Sequence, residues 1–377
     1  MKAHSPAKRE RTPWLLLVAA LALLAAPAGA AEKAAAVKVG EYTLSGPFTH
    51  ENLTIFLVHG EDKLKATTFL TLDEALEQKK IVVHETGNVN ELTVENVSPD
   101  VDIFIHSGDI VKGGRQDRLL AFDVIVPPKS GKVAVAAFCV EAGRWGQRGQ
   151  EEAAQFERST NQAFSKDLKL AAKAAAPAAT TAAPGARGVT GGRNITRAGA
   201  GRPAGSQSAV WMEVARAQAK LKMNLHAEVQ AEASKSSLQL TLENKKVQEA
   251  IDRYVKELQP VTAGRKDVIG YAFAINGKVN SIEVYASPAL FAKLWLRLLT
   301  ASAVEAVAER TKDKKFSPAT AEAVKACLLD AARGKASEEE VTKRVRLRVQ
   351  DTGKNVLFET RDRAHQDLPV HRSYVAY

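Results

Sequence analysis

Glycine, both signs of charge, an amide and an aromatic ring gather most densely in two short stretches, GDIVKGGRQDR at 108–118 and CVEAGRW at 139–145. In the first, Gly113 and Gly114 admit backbone angles closed to other residues and bring N–H groups close to a guest. Arg115 and Arg118 offer forked donors that match a carboxylate or phosphate, Gln116 adds an amide, and Asp109 a carboxylate. This combination predicts a carboxylate or diphosphate cradle; the alternative is a charged hairpin tip in water. The stretch lacks the Lys-Ser/Thr ending of a phosphate-binding loop and the GxGxxG spacing of a dinucleotide site, so it matches no established nucleotide motif. In the second stretch Glu141 and Arg144 are close enough to pair in a tight turn, and Trp145 offers a stacking face for a base or sugar. The plainer alternative makes the ion pair a tie for the strand end and Trp145 a core plug. Asp109 and Glu141 are the only local groups suited to general acid or base work.

Other chemistries find less support. A nucleophilic Cys139 needs a lowered pKa and a neighbouring base, and no histidine stands near it in sequence; nor does a glycine-rich loop separate it from Arg144. Cys139 lies in an apolar strand pattern and Cys327 on an apolar helix face, so two buried thiols are expected, although an oxidising compartment would permit a bridge. His50-Glu51 and His84-Glu85 are adjacent residues that strands direct to opposite faces, and His106 with Asp109 lacks HExxH spacing; no metal site and no cofactor are expected. His226, His365 and His371 are read as lying on solvated faces, and spacing assembles no Ser-His-Asp constellation.

The elements that must position the two stretches are short strands. Apolar or alternating runs at 53–58, 80–85, 90–97, 101–106, 118–126 and 132–140 predict an antiparallel sandwich or barrel-like unit. Pro127 to Gly131 is a turn cluster that folds the last run back on the one before it, bringing Cys139 to Trp145 beside Asp109 to Arg118 at one sheet edge. Thr71 and Glu74 form a capping box for a short helix. A longer helix is expected over 148–173. Residues 174–207 are Ala, Gly, Pro, Thr and Arg with almost no large apolar side chain, and are expected to be a disordered loop insertion. Helical faces resume with Val210, Val214 and Leu221 and with Val247, Ile251, Tyr254 and Leu258. Asn276-Gly277 marks a hairpin at 268–286, Ser287-Pro288 and Ser317-Pro318 open further helices, and three strands close the chain. The fold class is therefore α+β: a β-rich N-terminal half followed by helices, a hairpin and a C-terminal strand group.

Residues 1–30 have the layout of a secretory signal: Lys2, Lys8, Arg9 and Arg11, an apolar run from Trp14 to Ala26, then Ala28-Gly29-Ala30. The run falls short of the roughly 20 residues that span a bilayer, so a cleaved leader is expected over a retained anchor, with no transmembrane segment in the mature chain. Removal of the leader lowers the formal charge of +10 only modestly, and Arg187, Arg193, Arg197 and Arg202 fall in the Ala/Gly tract. A nucleic-acid surface would focus charge on one face with interleaved aromatics, and that pattern is absent.

Taken together, GGRQDR, CVEAGRW, AINGKV at 274–279 and SPALFAKLWLRLL at 287–299 resemble the ARG and rhodanese-phosphatase superfamily-associated protein domain. The similarity covers about 48–304 and takes in TLDEAL at 71–76 and QSAVW at 207–211. It implies one domain over 38–304, comprising a β-rich half at 38–147, the 148–173 helix, the loop insertion, and helices with a hairpin at 208–304; residues 305–377 then form a C-terminal helix and strands. The family is named for genomic association with ADP-ribosylglycohydrolases and rhodanese-like phosphatases, which implies a setting of ADP-ribose or related nucleotide metabolism. Carried over, Asp109 holds an acid position where the family pattern has Glu, Arg115, Gln116 and Arg118 fall in a basic-Gln-polar-Arg string, and Glu141, Arg144 and Trp145 fall in the second motif. The expectation is an exported protein that binds a small anionic ligand, a nucleotide, ADP-ribose-like molecule or sugar phosphate, between the two motifs. The alternative is a non-enzymatic envelope module that serves structure or a protein partner.

Overall fold

The computed structural model describes residues 1, 36–65, 67–143, 156–176, 206–311 and 315–377. The leader, the Ala/Gly tract at 177–205, and Arg144 and Trp145 therefore lie outside the described residues. In chain order the first elements are β1 (Val37–Val39), β2 (Tyr42–His50), β3 (Leu53–His59), β4 (Phe69–Thr71), α1 (Leu72–Glu77), β5 (Ile81–Glu85), β6 (Glu91–Asn96) and β7 (Asp102–Ile105). There follow β8 (Asp109–Gly113), β9 (Arg118–Leu120), β10 (Val124–Val126), β11 (Lys132–Cys139), β12 (Phe156–Gln162) and α2 (Lys166–Ala175). The remainder is α3 (Gln207–Leu225), α4 (Leu238–Leu242), α5 (Lys245–Leu258), β13 (Val268–Ile275), β14 (Lys278–Tyr285), α6 (Pro288–Ala308), α7 (Ala321–Ala331), β15 (Lys335–Glu340), β16 (Val345–Asp351), β17 (Asn355–Asp362) and β18 (Leu368–Ala376). The fold is α+β with mainly antiparallel sheets; β4 and β7 pair in parallel.

Local chemistry sets many of these elements. Thr71 caps α1 and receives the reciprocal bond from Glu74, so two backbone donors at the helix start are satisfied. Asn276 and Gly277 adopt φ of 52° and 75°, the left-handed pair that matches a two-residue turn to twisted strands, and β13 and β14 pair around them. Ser287 caps α6 with Pro288 in the first turn, where a missing N–H costs nothing. In α5, Val247, Ile251, Tyr254 and Leu258 are buried at helical spacing, and a fully buried aliphatic side chain of this kind contributes about 1.5–3 kcal/mol.

The strands form a nine-stranded sheet ordered β1-β2-β3-β13-β14-β18-β17-β16-β15, a six-stranded sheet ordered β12-β8-β9-β11-β6-β5 and a three-stranded sheet ordered β10-β7-β4. Successive side chains of a strand point to opposite faces. On the nine-stranded sheet Leu53, Ile55, Leu57, Tyr271, Phe273 and Tyr285 join the main core with α5 and α6, whereas Phe56, Val58, Ala272, Ala274, Ile282 and Val284 pack with α7. Ala35–Tyr377 is one compact unit.

Several sequence expectations change. The helix expected over 148–173 is replaced, within its described part, by β12 and α2. β12 pairs with β8 and so satisfies backbone groups along an edge that a helix would leave open. The run at 118–126 is two strands in different sheets, β9 pairing with β8 and β11 and β10 with β7, and between them the buried Asp123 accepts from the Ser107 N–H at 2.7 Å. The helix expected at Ser317-Pro318 starts three residues later, with Thr320 as its cap. The boundary expected after Val304 falls inside α6, and β18 pairs with both β14 and β17.

Candidate functional site

The register of the six-stranded sheet brings Gly113, Gly114, Arg115, Gln116, Arg118 and Glu141 together. β9 and β11 pair with Arg118 opposite Cys139, and the β8–β9 hairpin carries Gly114 to Asp117 at its tip. The buried Arg118 guanidinium donates to Cys139 Sγ at 2.7 Å and Gln116 Oε1 at 3.4 Å, and its other arm reaches the Glu85 carboxylate at 3.3 Å. Gln116 Nε2 donates to the Glu141 carbonyl at 2.9 Å, tying the tip to the end of β11. Asp117 accepts from the Gly113 N–H at 3.0 Å and from Ser237 Oγ at 3.3 Å. Gln207, the first residue of α3, brackets the Cys139 backbone, accepting its N–H at 2.9 Å and donating to its carbonyl at 2.8 Å.

Gly114 is required at this tip for steric as well as torsional reasons. Its φ is +57°, and a Cβ would lie 2.4 Å from the Phe156 ring and 3.0 Å from Glu85 Oε1. Arg115 is exposed, and its backbone N–H donates to Glu85 Oε1 at 3.2 Å. One carboxylate, with 15 % of its side chain exposed, thus meets both Arg118 and the backbone of Arg115. Burial pushes the Cys139 thiol up to about 11 against the pull of Arg118, so the thiol stays protonated at neutral pH. Cys139 and Cys327 are both buried and unbridged.

Asp109 does not join this cluster. It is buried at the other end of β8, where its carboxylate accepts from the His106 N–H at 2.9 Å and Gln162 Nε2 at 2.8 Å, and meets Arg297 at 3.2 Å. Burial raises its pKa, with Arg297 acting in the opposite direction. Strand geometry explains the separation: the cross-strand contacts that gather Arg118 and Cys139 lie toward the tip, and Asp109 pairs with Gln162 instead.

Asp109 borders a second polar cluster that spacing alone did not suggest. His371 on β18 is buried, contrary to the solvated position expected for it, and both ring nitrogens face carboxylates: Nδ1 to Asp123 at 2.7 Å and Nε2 to Glu283 at 3.0 Å. Its ring stacks on Tyr285 with centroids 4.3 Å apart and planes at 7°. Burial opposes the charge on His371, but Asp123 and Glu283 outweigh it and raise its pKa to about 9. His106, between β7 and β8, bonds Tyr285 Oη at 2.8 Å, and burial drives its pKa down to about 3 despite Asp123. Asp123 resists desolvation through His371 and is held below the usual carboxylate range. Lys173 on α2 donates to Ser107 Oγ at 2.6 Å and to the Ala121 carbonyl at 3.2 Å. The ligand-type atoms of His106, Asp123 and His371 lie within 4.8 Å of one another.

The other histidines follow their strands or helix ends. His84 faces Glu95 at 3.3 Å while its neighbour Glu85 faces Arg118, as opposite strand faces require. His226 is exposed, and His365 is partly exposed and bonds Asp362 at 2.7 Å.

The model of the ARG and Rhodanese-Phosphatase-superfamily-associated Protein domain matches residues 41–375. The chain belongs to this family. The match runs through α7 and β15–β18, so the family domain takes in the C-terminal strands as well as both polar clusters. No curated protein and no solved structure is detectably similar to the chain.

Proposed function

We propose that the protein is exported and binds a small anionic ligand, a nucleotide, ADP-ribose-like molecule or sugar phosphate, at the tip of the β8–β9 hairpin. The reading rests on one arrangement: Arg118, Gln116 and Glu141 converge beside an exposed Arg115 at a double-glycine turn. Arg115 is exposed, and Glu85 sits between its backbone N–H and Arg118. An anion at the tip competes with Glu85 for these donors, so its binding exchanges one carboxylate partner for another. Asp109 takes no part, because its carboxylate is committed to His106, Gln162 and Arg297. That leaves Glu141 as the one sequence-suggested acid at the tip, and the proposal is binding rather than turnover.

Export is supported by the leader sequence at 1–30, whose residues 2–30 lie outside the described ones. No helix among the described residues is long and apolar enough to cross a membrane. Calorimetry or thermal shift with ADP-ribose, nucleotides and sugar phosphates tests the ligand. A saturable response lost in Arg115→Ala at unchanged melting temperature is expected; silence of the wild type across the panel leaves the structural envelope module in its place. Amino-terminal sequencing of protein from the cell envelope is expected to start at Ala31, and an intact Met1 in membrane fractions would overturn cleavage.

A further inference from the structure

We infer that His106, Asp123 and His371 form a divalent transition-metal site of the zinc class. The three come from separate segments, the β7–β8 turn, the β9–β10 crossover and β18, and His371 is 248 positions from Asp123. Their donor atoms nevertheless lie within 4.8 Å of one another, and all three side chains are buried. Two imidazole nitrogens and one carboxylate oxygen are the donor set of a borderline divalent ion.

A second, independent feature is space beside the donors. A cavity of about 20 Å³ is lined by His106, Asp123 and His371 together with Ser107 and Glu283, enough for one water-sized guest. Three protein ligands with room for a water form the open coordination that a tetrahedral ion accepts. A third feature is the support behind the ligands. His371 Nε2 faces Glu283 at 3.0 Å, so the ion would take the place of the proton between Nδ1 and Asp123 Oδ2, and a carboxylate behind a ligating histidine is the arrangement that fixes ring orientation and basicity. Tyr285 stacks on His371 and bonds His106 at 2.8 Å, holding both rings. Bonds of about 2 Å to nitrogen and oxygen require only a slight opening of the 2.7 Å gap between His371 Nδ1 and Asp123 Oδ2.

The electrostatics set the limits on affinity. Lys169 and Lys173 line the same cavity, and their ammonium groups offset the charges of Asp123 and Glu283. Ligation displaces the proton that Asp123 and Glu283 otherwise hold on His371, and with both imidazoles then neutral the ion enters surroundings of no net charge rather than a cationic pocket. This inference is independent of the ligand proposed for the hairpin tip.

The test uses the full-length chain, stripped with a chelator and then titrated with Co²⁺ and, by competition, Zn²⁺. Visible absorption of Co²⁺ in a site of low coordination number, with one equivalent of metal per chain by elemental analysis, is expected. His371→Ala and His106→Gln are each expected to weaken binding at least tenfold, while His226→Asn, at an exposed helix end, leaves it unchanged. Should His371→Ala not fold, His106→Gln and the wild-type stoichiometry carry the test. Wild-type protein that takes up no stoichiometric metal overturns the site, and so does full binding retained in folded His106→Gln.

Discussion

The hairpin-tip cluster and the core cluster both bury a cation against carboxylates, yet they solve the desolvation problem differently. At the tip, Arg118 meets the partly exposed Glu85 together with the neutral Cys139 and Gln116. In the core, His371 sits between two buried carboxylates, one of which also accepts from Ser107 and Thr360. A buried charge is tolerated only when paired and hydrogen-bonded, so the core arrangement locks several segments together. The tip, where Glu85 lies at the rim, can exchange partners at lower cost. Exchange of an organic anion therefore belongs at the tip, whereas the core cluster ties distant segments together and leaves room only for a guest the size of a single ion or water.

The sharpest way to break this contrast is Asp123→Ala. It removes the acceptor for His371, Ser107 and Thr360 at once and is expected to destabilise the fold by about 3–5 kcal/mol in chemical denaturation. Arg118→Ala leaves Glu85 able to reach water and is expected to cost less, about 2–3 kcal/mol. If Arg118→Ala proves the costlier of the two, the division between a locked core and an exchangeable tip is wrong.

Glu305 sharpens the comparison from the other side, being buried, with that burial outweighing the attraction of Lys166 and Lys169. Burial pushes its pKa up from 4.5 to about 7, against hydrogen bonds from Asn280 and the Lys166 N–H. A folded pKa raised above the unfolded value means that its stabilising share is complete below about pH 4.5 and is lost as pH rises through about 7. Glu305→Gln is therefore expected to match the wild type near pH 4.5 and to be more stable at pH 8 by on the order of 2 kcal/mol. Urea melts at the two pH values check this, and equal stabilities at pH 8 count against a protonated Glu305. The smallest effect is expected at the exposed Arg115, where Arg115→Ala costs at most about 1 kcal/mol in the absence of ligand, the range of a surface interaction.

Much of the tip was legible in the linear chain. The turn at Pro127 to Gly131 predicts a hairpin of 118–126 with 132–140; Arg118 does stand opposite Cys139, but only 118–120 pairs with 137–139, and 124–126 pairs with β7 instead. The Thr71 capping box, the Asn276-Gly277 turn and the Ser287-Pro288 helix start were readable because each depends on residues a few positions apart. Asp109 was misassigned because proximity in sequence says nothing about which end of a strand a side chain serves.

Only the tertiary structure decided the core cluster. His371 reads as one polar residue in VHRSYVAY, and nothing local distinguishes a solvated position from a buried one. Its burial follows from the order β14-β18-β17, which brings it beside Glu283, and from the packing that delivers Asp123 and His106. Caps, turns and strand alternation are written in short-range backbone chemistry, and the sequence determined them. The meeting of four polar side chains from distant segments depends on which strands become neighbours, and that is settled by the burial of whole apolar faces rather than by any short motif.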